Sequence, residues 1–171
     1  MFYLDLLQGT QSKAKVLKAV SYIGSSKLKF NDFIEEFTIS KDRDAQKLAW
    51  IIGKIVDTQS QLIALHVPTL LNKLQYPCHA AVKRNILRAL DKIKLEADDD
   101  LGLAADISFR LLNNTSETVA VRVFAMSILS KICIEEPELA MELITMLEYH
   151  VPHESAGFRS RANKIIKILS N

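Results

Sequence analysis

The stretch Val67-Pro-Thr-Leu-Leu-Asn-Lys-Leu-Gln-Tyr-Pro-Cys-His-Ala-Ala-Val-Lys-Arg-Asn-Ile-Leu-Arg-Ala-Leu-Asp-Lys-Ile93 decides the fold. Pro77 divides it into two segments. In the second, Val82, Ile86, Ala89, Leu90 and Ile93 share one face of a helical wheel, the pattern of an amphipathic helix. The first segment carries Leu70 and Leu71 and is interrupted at Pro68, where a proline removes a backbone donor and crowds the preceding turn. The stretch reads as two helices joined by a turn: Ser60 to Leu74, kinked at Pro68, then Cys78 to Lys92.

The same periodicity extends in both directions. Ala45, Leu48, Ala49, Ile52, Ile55 and Val56 share a face, as do Val121, Ala125, Ile128, Leu129 and Ile132. Sustained two-residue alternation and Asn-Gly or Asp-Gly hairpin turns are absent. Capping residues and breakers place further helices from Ser12 to Ile23 with Gly24 as the stop, from Lys29 to Phe37, and from a Ser40 cap to Asp57. A helix begins at Asp98, Asp99 and Asp100, whose charges suit the positive end of a helix dipole, and ends near Asn113. Ser116 caps one to Ile132, Pro137 sits in the first turn of the next, and the last runs from Ser155 to Leu169.

These helices repeat in pairs. Gln46, Lys83, Arg122 and Arg161 form one column, at spacings of 37, 39 and 39 residues. Ala49, Ile86, Ala125 and Lys164 stand three places on, and Gly53, Leu90, Leu129 and Ile168 seven places on. The apolar columns hold through three copies and fray in the fourth, as a terminal repeat facing water does.

Residues 67–93 resemble a HEAT repeat: Pro68 and Leu70-Leu71 match its kinked first helix, Pro77 its turn, and Val82-Lys83 the hydrophobic-basic pair that opens its second helix. Val121-Arg122 repeats that pair. Ser40 and Ser116 stand where HEAT turns often carry Asp. The resemblance implies an all-α, right-handed α-solenoid of antiparallel helix pairs, a single domain over residues 1–171. Residues 1–26 would be N-terminal capping helices and 27–57, 58–94, 95–133 and 134–171 the helix pairs. It also implies a scaffold, because stacked hairpins create an extended surface suited to binding.

Composition narrows the function. The chain has 171 residues, 49% hydrophobic and 25% charged, with a net charge of +2. That charge is too small to argue for nucleic acid or an anionic membrane. Its distribution is uneven: the first helices of the pairs carry −9 and the second helices +9. Lys47, Lys83, Arg84, Arg122, Arg159 and Arg161, all on second helices, are the candidate partner-binding residues. Lys83, Arg122 and Arg161 are expected to stand in a row that engages an acidic segment of another protein.

Other motifs carry less. Trp50 shares its column with Leu87, Met126 and Ile165, which favours packing over binding. Glu148, His150, His153 and Glu154 cluster around Pro152 without the spacing of a metal motif. Ser155 to Arg161 combines a helix start with two arginines, a place where anions bind or where the arginines pair with Glu154. Two cysteines, Cys78 and Cys133, do not make a disulfide framework. Neither a phosphate loop nor a nucleophile elbow nor a zinc-protease motif is present. Nothing approaches a membrane span, and Met1 to Leu7 lack the pattern of a signal peptide. The expectation is a non-catalytic, cofactor-free cytoplasmic scaffold that binds another protein. The alternative is a nucleic-acid-binding module or DNA-repair protein similar to the HEAT-like DNA glycosylases.

Overall fold

Local capping chemistry cuts the chain into eleven α-helices and two short 3₁₀ turns among the described residues, 1–170, of the computed structural model. They are α1 (Phe2–Leu6), α2 (Lys13–Ile23), α3 (Lys27–Ile39), α4 (Asp42–Ile55), α5 (Ser60–Ala64), α6 (Val67–Gln75), α7 (Ala80–Asp91), α8 (Asp98–Asn113), α9 (Val119–Glu135), α10 (Ala140–His150) and α11 (Ala156–Leu169). The described residues contain no strand. Two compact units divide them, Met1–Leu95 and Glu96–Asn171.

In the first unit, α3 packs on α4, and the α5–α6 segment packs on α7. The second helices α4 and α7 also pack on each other, so Leu48, Ile51, Ile52 and Ile55 are buried with Val82, Ile86, Leu87 and Leu90. Gly53 permits that approach, because Asn85 of α7 occupies the space a side chain there would need. At the other side of α3 an aromatic cluster closes the unit. Tyr3 meets Phe33 edge-on at 5.2 Å, and Phe33 stacks on Phe37 at 6.3 Å. Glu36, buried beneath α1, accepts the amides of Tyr3 (3.1 Å) and Leu4 (2.8 Å), which have no helical partner at a helix start. Burial pushes the Tyr3 phenol up to about 12, and its hydroxyl donates to Lys29 O at 2.6 Å.

In the second unit, α9 is enclosed by α8, α10 and α11. Every residue from Ala125 to Ser130 is buried, so this helix has no solvent face over that span.

Where caps are local, the expected boundaries hold. Ser12 Oγ accepts the amide of Lys15, Gly24 ends α2 at φ 53°, and Ser155 Oγ accepts the amide of Phe158. Three boundaries differ. Ser40 does not open α4; its hydroxyl donates to Glu36 O at 2.6 Å and closes α3 instead. Ser116 precedes α9 by three residues, and Thr118 holds the N-cap position. The expected kink at Pro68 is a full break between α5 and α6. Proline falls in the first turn of α6, where its missing N–H leaves no helical bond unmade.

Candidate partner-binding surface

The candidate residues lie on the second helices of the pairs, α4 and α7 in the first unit and α9 and α11 in the second. In the first unit their polar ends tie one repeat to the next. Asp57, just past α4, receives Arg88 Nη2 at 2.8 and 3.0 Å and also pairs with Lys92 Nζ, both from α7 and its end. Arg88 Nη1 donates to Gly53 O. Burial raises the Asp57 carboxyl, but the hydrogen bonds from Lys92 and Arg88 and their charges outweigh it and hold the pKa below the ordinary value. Two of the basic residues of the second helix are thus engaged internally. Of the expected contacts here, Lys47 is half-buried and paired with Asp44 at 3.1 Å. Lys83 is half-buried, and Arg84 is exposed.

In the second unit the central expectation fails. Arg122 is 2% exposed. Its Nε donates to Leu112 O at 2.8 Å, its Nη1 pairs with Glu154, and its guanidinium lies 4.7 Å from the centre of the Phe158 ring. Nη2 is buried and has no hydrogen-bond partner among the described residues. The row of Lys83, Arg122 and Arg161 as exposed partner contacts therefore loses its middle member. Glu154 is the reason: a carboxylate brought against α9 makes burial of the guanidinium tolerable, since a buried charge persists only when paired and hydrogen-bonded.

Arg161 is exposed, but its Nε donates to Ser127 Oγ of α9 at 3.0 Å. Arg159 is exposed. With Arg122 buried, the exposed basic residues of the α9–α11 pair come chiefly from α11: Arg159, Arg161, Lys164 and Lys167. The start of α11 is already occupied. Ser155 caps it, and Glu154 serves Arg122 rather than either neighbouring arginine.

His150 completes this buried polar group, its Nε2 lying 3.2 Å from Asn113 Oδ1. Burial, reinforced by the charge of Arg122, lowers the imidazole pKa below its ordinary value. No group of three or more His, Cys, Asp or Glu side chains among the described residues is arranged to hold a metal ion. Trp50 is half-buried. Cys133 is buried, and its thiol is pushed up to about 11, which leaves little nucleophilic thiolate at neutral pH. No helix among the described residues is long and apolar enough to cross a membrane.

Sequence reasoning missed Glu36 and Asp57. Glu36 counted only toward the negative charge of the first helices, yet it caps α1 from inside. Asp57 stands just beyond the end of α4, 31 residues before Arg88; a near-repeat spacing between an acid and a base was the available signal.

No curated protein matches the sequence. The family model of the HEAT repeat domain matches it over residues 3–169.

Proposed function

The chain belongs to the HEAT repeat family, and from that premise we propose that it is a scaffold carrying a partner protein on the exposed basic residues of its second helices. Domains of this family are generally non-catalytic and typically serve protein interaction. The observation that supports the reading is the fate of the basic residues. Arg88, Lys92 and Arg122 are drawn into contacts between repeats. Arg84, Arg159, Arg161 and Lys164 are exposed. Arg84 in the first unit, and Arg159, Arg161 and Lys164 in the second, each set up a positive field within their own unit that favours an anionic surface.

The nucleic-acid alternative has less support. Sequence-tolerant binding of single strands uses aromatic platforms for stacking. On the second helices Phe158 is buried beneath Arg122 and Trp50 is half-buried.

The test is affinity capture with the purified chain and with the variant Arg84→Glu/Arg159→Glu, followed by mass spectrometry and by titration of duplex and single-stranded DNA. The expected result is a defined protein retained by the wild type and lost with the variant, at unchanged melting temperature. Recovery of nucleic acid alone, or identical protein recovery by both chains, overturns the reading.

A further inference from the structure

In the first unit, a cavity of about 460 Å³ lies between two successive turns, the one joining α3 to α4 and the one joining α6 to α7. Its charged lining is lopsided. Lys41 and Lys73 face it against one carboxylate, Asp42, with the His79 imidazole beside them. Lys73 donates to Thr38 O and Ser40 O at 2.9 Å each. Those acceptors are neutral carbonyls, and the Phe37 ring lies 5.5 Å from the ammonium; an ammonium has three N–H groups, of which the carbonyls use two. Burial pushes the Lys73 pKa down, the Cys78 thiol works the other way, and the nearby charge of Lys41 adds to the lowering. A half-buried Lys73 and an exposed Lys41 therefore crowd one hollow, an arrangement that an incoming anion relieves.

The backbone adds to that field. The cavity holds the starts of two long helices, α4 and α7, each presenting the positive end of its dipole. Lys41, the N-cap residue of α4, makes no side-chain cap bond. His79 caps α7 by accepting the amide of Ala81 on Nδ1 at 3.1 Å. The neutral imidazole then carries its proton on Nε2 and is a donor. Tyr76 and Asn72 add further donors to the lining.

We propose that this cavity is an oxyanion subsite, which takes the carboxylate or phosphoryl group of a side chain presented by a partner protein. The inference rests on the scaffold reading and specifies what chemistry one part of it recognises. Charge-assisted hydrogen bonds from lysine and imidazole to an oxyanion are the strong kind, and a hollow of this size accepts a whole side chain.

The experiment uses the full chain, with the resonances of the His79 imidazole and the Lys73 ammonium followed by NMR. It is titrated with inorganic phosphate, then with a short glutamate-rich peptide, the same peptide bearing one phosphoserine, and a glutamine-rich control. Phosphate is expected to shift both resonances, and one of the acidic peptides to shift them at lower concentration. The tighter of the two identifies the group as carboxylate or phosphoryl. Lys41→Gln removes an exposed charge and should weaken the peptide about tenfold, the size of one lost charge-assisted contact, at unchanged melting temperature. Lys18→Gln, the same charge change at an exposed position of α2, should leave it alone. Equal weakening by both variants, or equal binding of the glutamine control, overturns the proposal. Resonances unmoved by phosphate overturn the subsite while leaving the capture experiment free to uphold the scaffold. Phosphate binding without binding of either acidic peptide overturns a protein-borne ligand.

Discussion

Replacing Gly53 by alanine places opposing effects on one atom. Glycine in a helix interior costs about 1 kcal/mol relative to alanine, so on helix propensity alone the substitution stabilises. The contact between α4 and α7 reverses the sign. A Cβ on Gly53 would lie 3.0 Å from Asn85 Cγ and 3.4 Å from Asn85 Cβ, and nearer still to Oδ1. Three atoms of a short side chain are involved, so a small rotation about one bond does not clear them. Asn85 is buried, and its Nδ2 donates to Ala81 O at 2.8 Å. Turning it aside breaks that bond, worth about 1 kcal/mol, and overpacking adds about 1–3 kcal/mol. The net expectation is a loss of about 1–3 kcal/mol, a melting temperature lower by roughly 2–12 °C for a chain of this length. Trp50, the only tryptophan, lies three residues from Gly53 on α4, so its fluorescence during denaturant unfolding follows the affected helix. Asn85→Ala in the Gly53→Ala background should recover part of the loss, with a coupling of about 1–2 kcal/mol. Stabilisation by the single substitution, or strict additivity of the pair, would refute the packing argument.

Four further outcomes are expected. Arg122→Ala strands the Glu154 carboxylate and should cost about 3 kcal/mol in chemical denaturation; a loss below about 1 kcal/mol would mean that the pair is not buried. Ala125→Glu forces a charge into a fully enclosed site and should cost several kcal/mol, with loss of the cooperative transition; an unchanged melting curve rules out the register of the repeat. His150 and His66 both have imidazole pKa values lowered by burial, so the unfolded chain takes up protons first. Stability should be full above pH 6.5 and fall as pH drops from there through the folded values; His150→Gln should flatten part of that slope in a pH series of melts, and an unaltered slope contradicts the assignment. Asp57 has the opposite dependence on its own charge: its folded pKa is depressed, so its contribution is present above the ordinary carboxylate value and disappears as pH falls through the folded one. Asp57→Asn should lower stability at pH 7 while leaving it little changed at pH 3, and weaken its salt dependence; a variant as stable as the wild type at pH 7 contradicts the assignment.

The helices were legible where their signals are local. Ser12 and Gly24 bracket α2 because a hydroxyl reaches an amide three residues on and a glycine adopts positive φ without strain. Ser40 misled because a hydroxyl donates as readily as it accepts, and here it closes the preceding helix. The repeat columns located the second helices but said nothing of depth. Lys83, Arg122 and Arg161 occupy one column, yet Arg122 is the buried member of the three, held by a carboxylate from the turn before α11. That meeting spans 32 residues, and no local pattern encodes it. The sequence of α9 did hold a hint. Its apolar residues surround the helix rather than forming a stripe, the mark of an element buried on every side.

That enclosure has a kinetic consequence. An amide in the middle of α9 reaches solvent only when the packing of α8, α10 and α11 around it opens. Deuterium uptake at Ala125 to Leu129 should therefore be among the slowest in the Glu96–Asn171 unit, and its rate should track the stability of that whole unit rather than local fraying. The central turn of one helix then serves as an isotopic clock for all four.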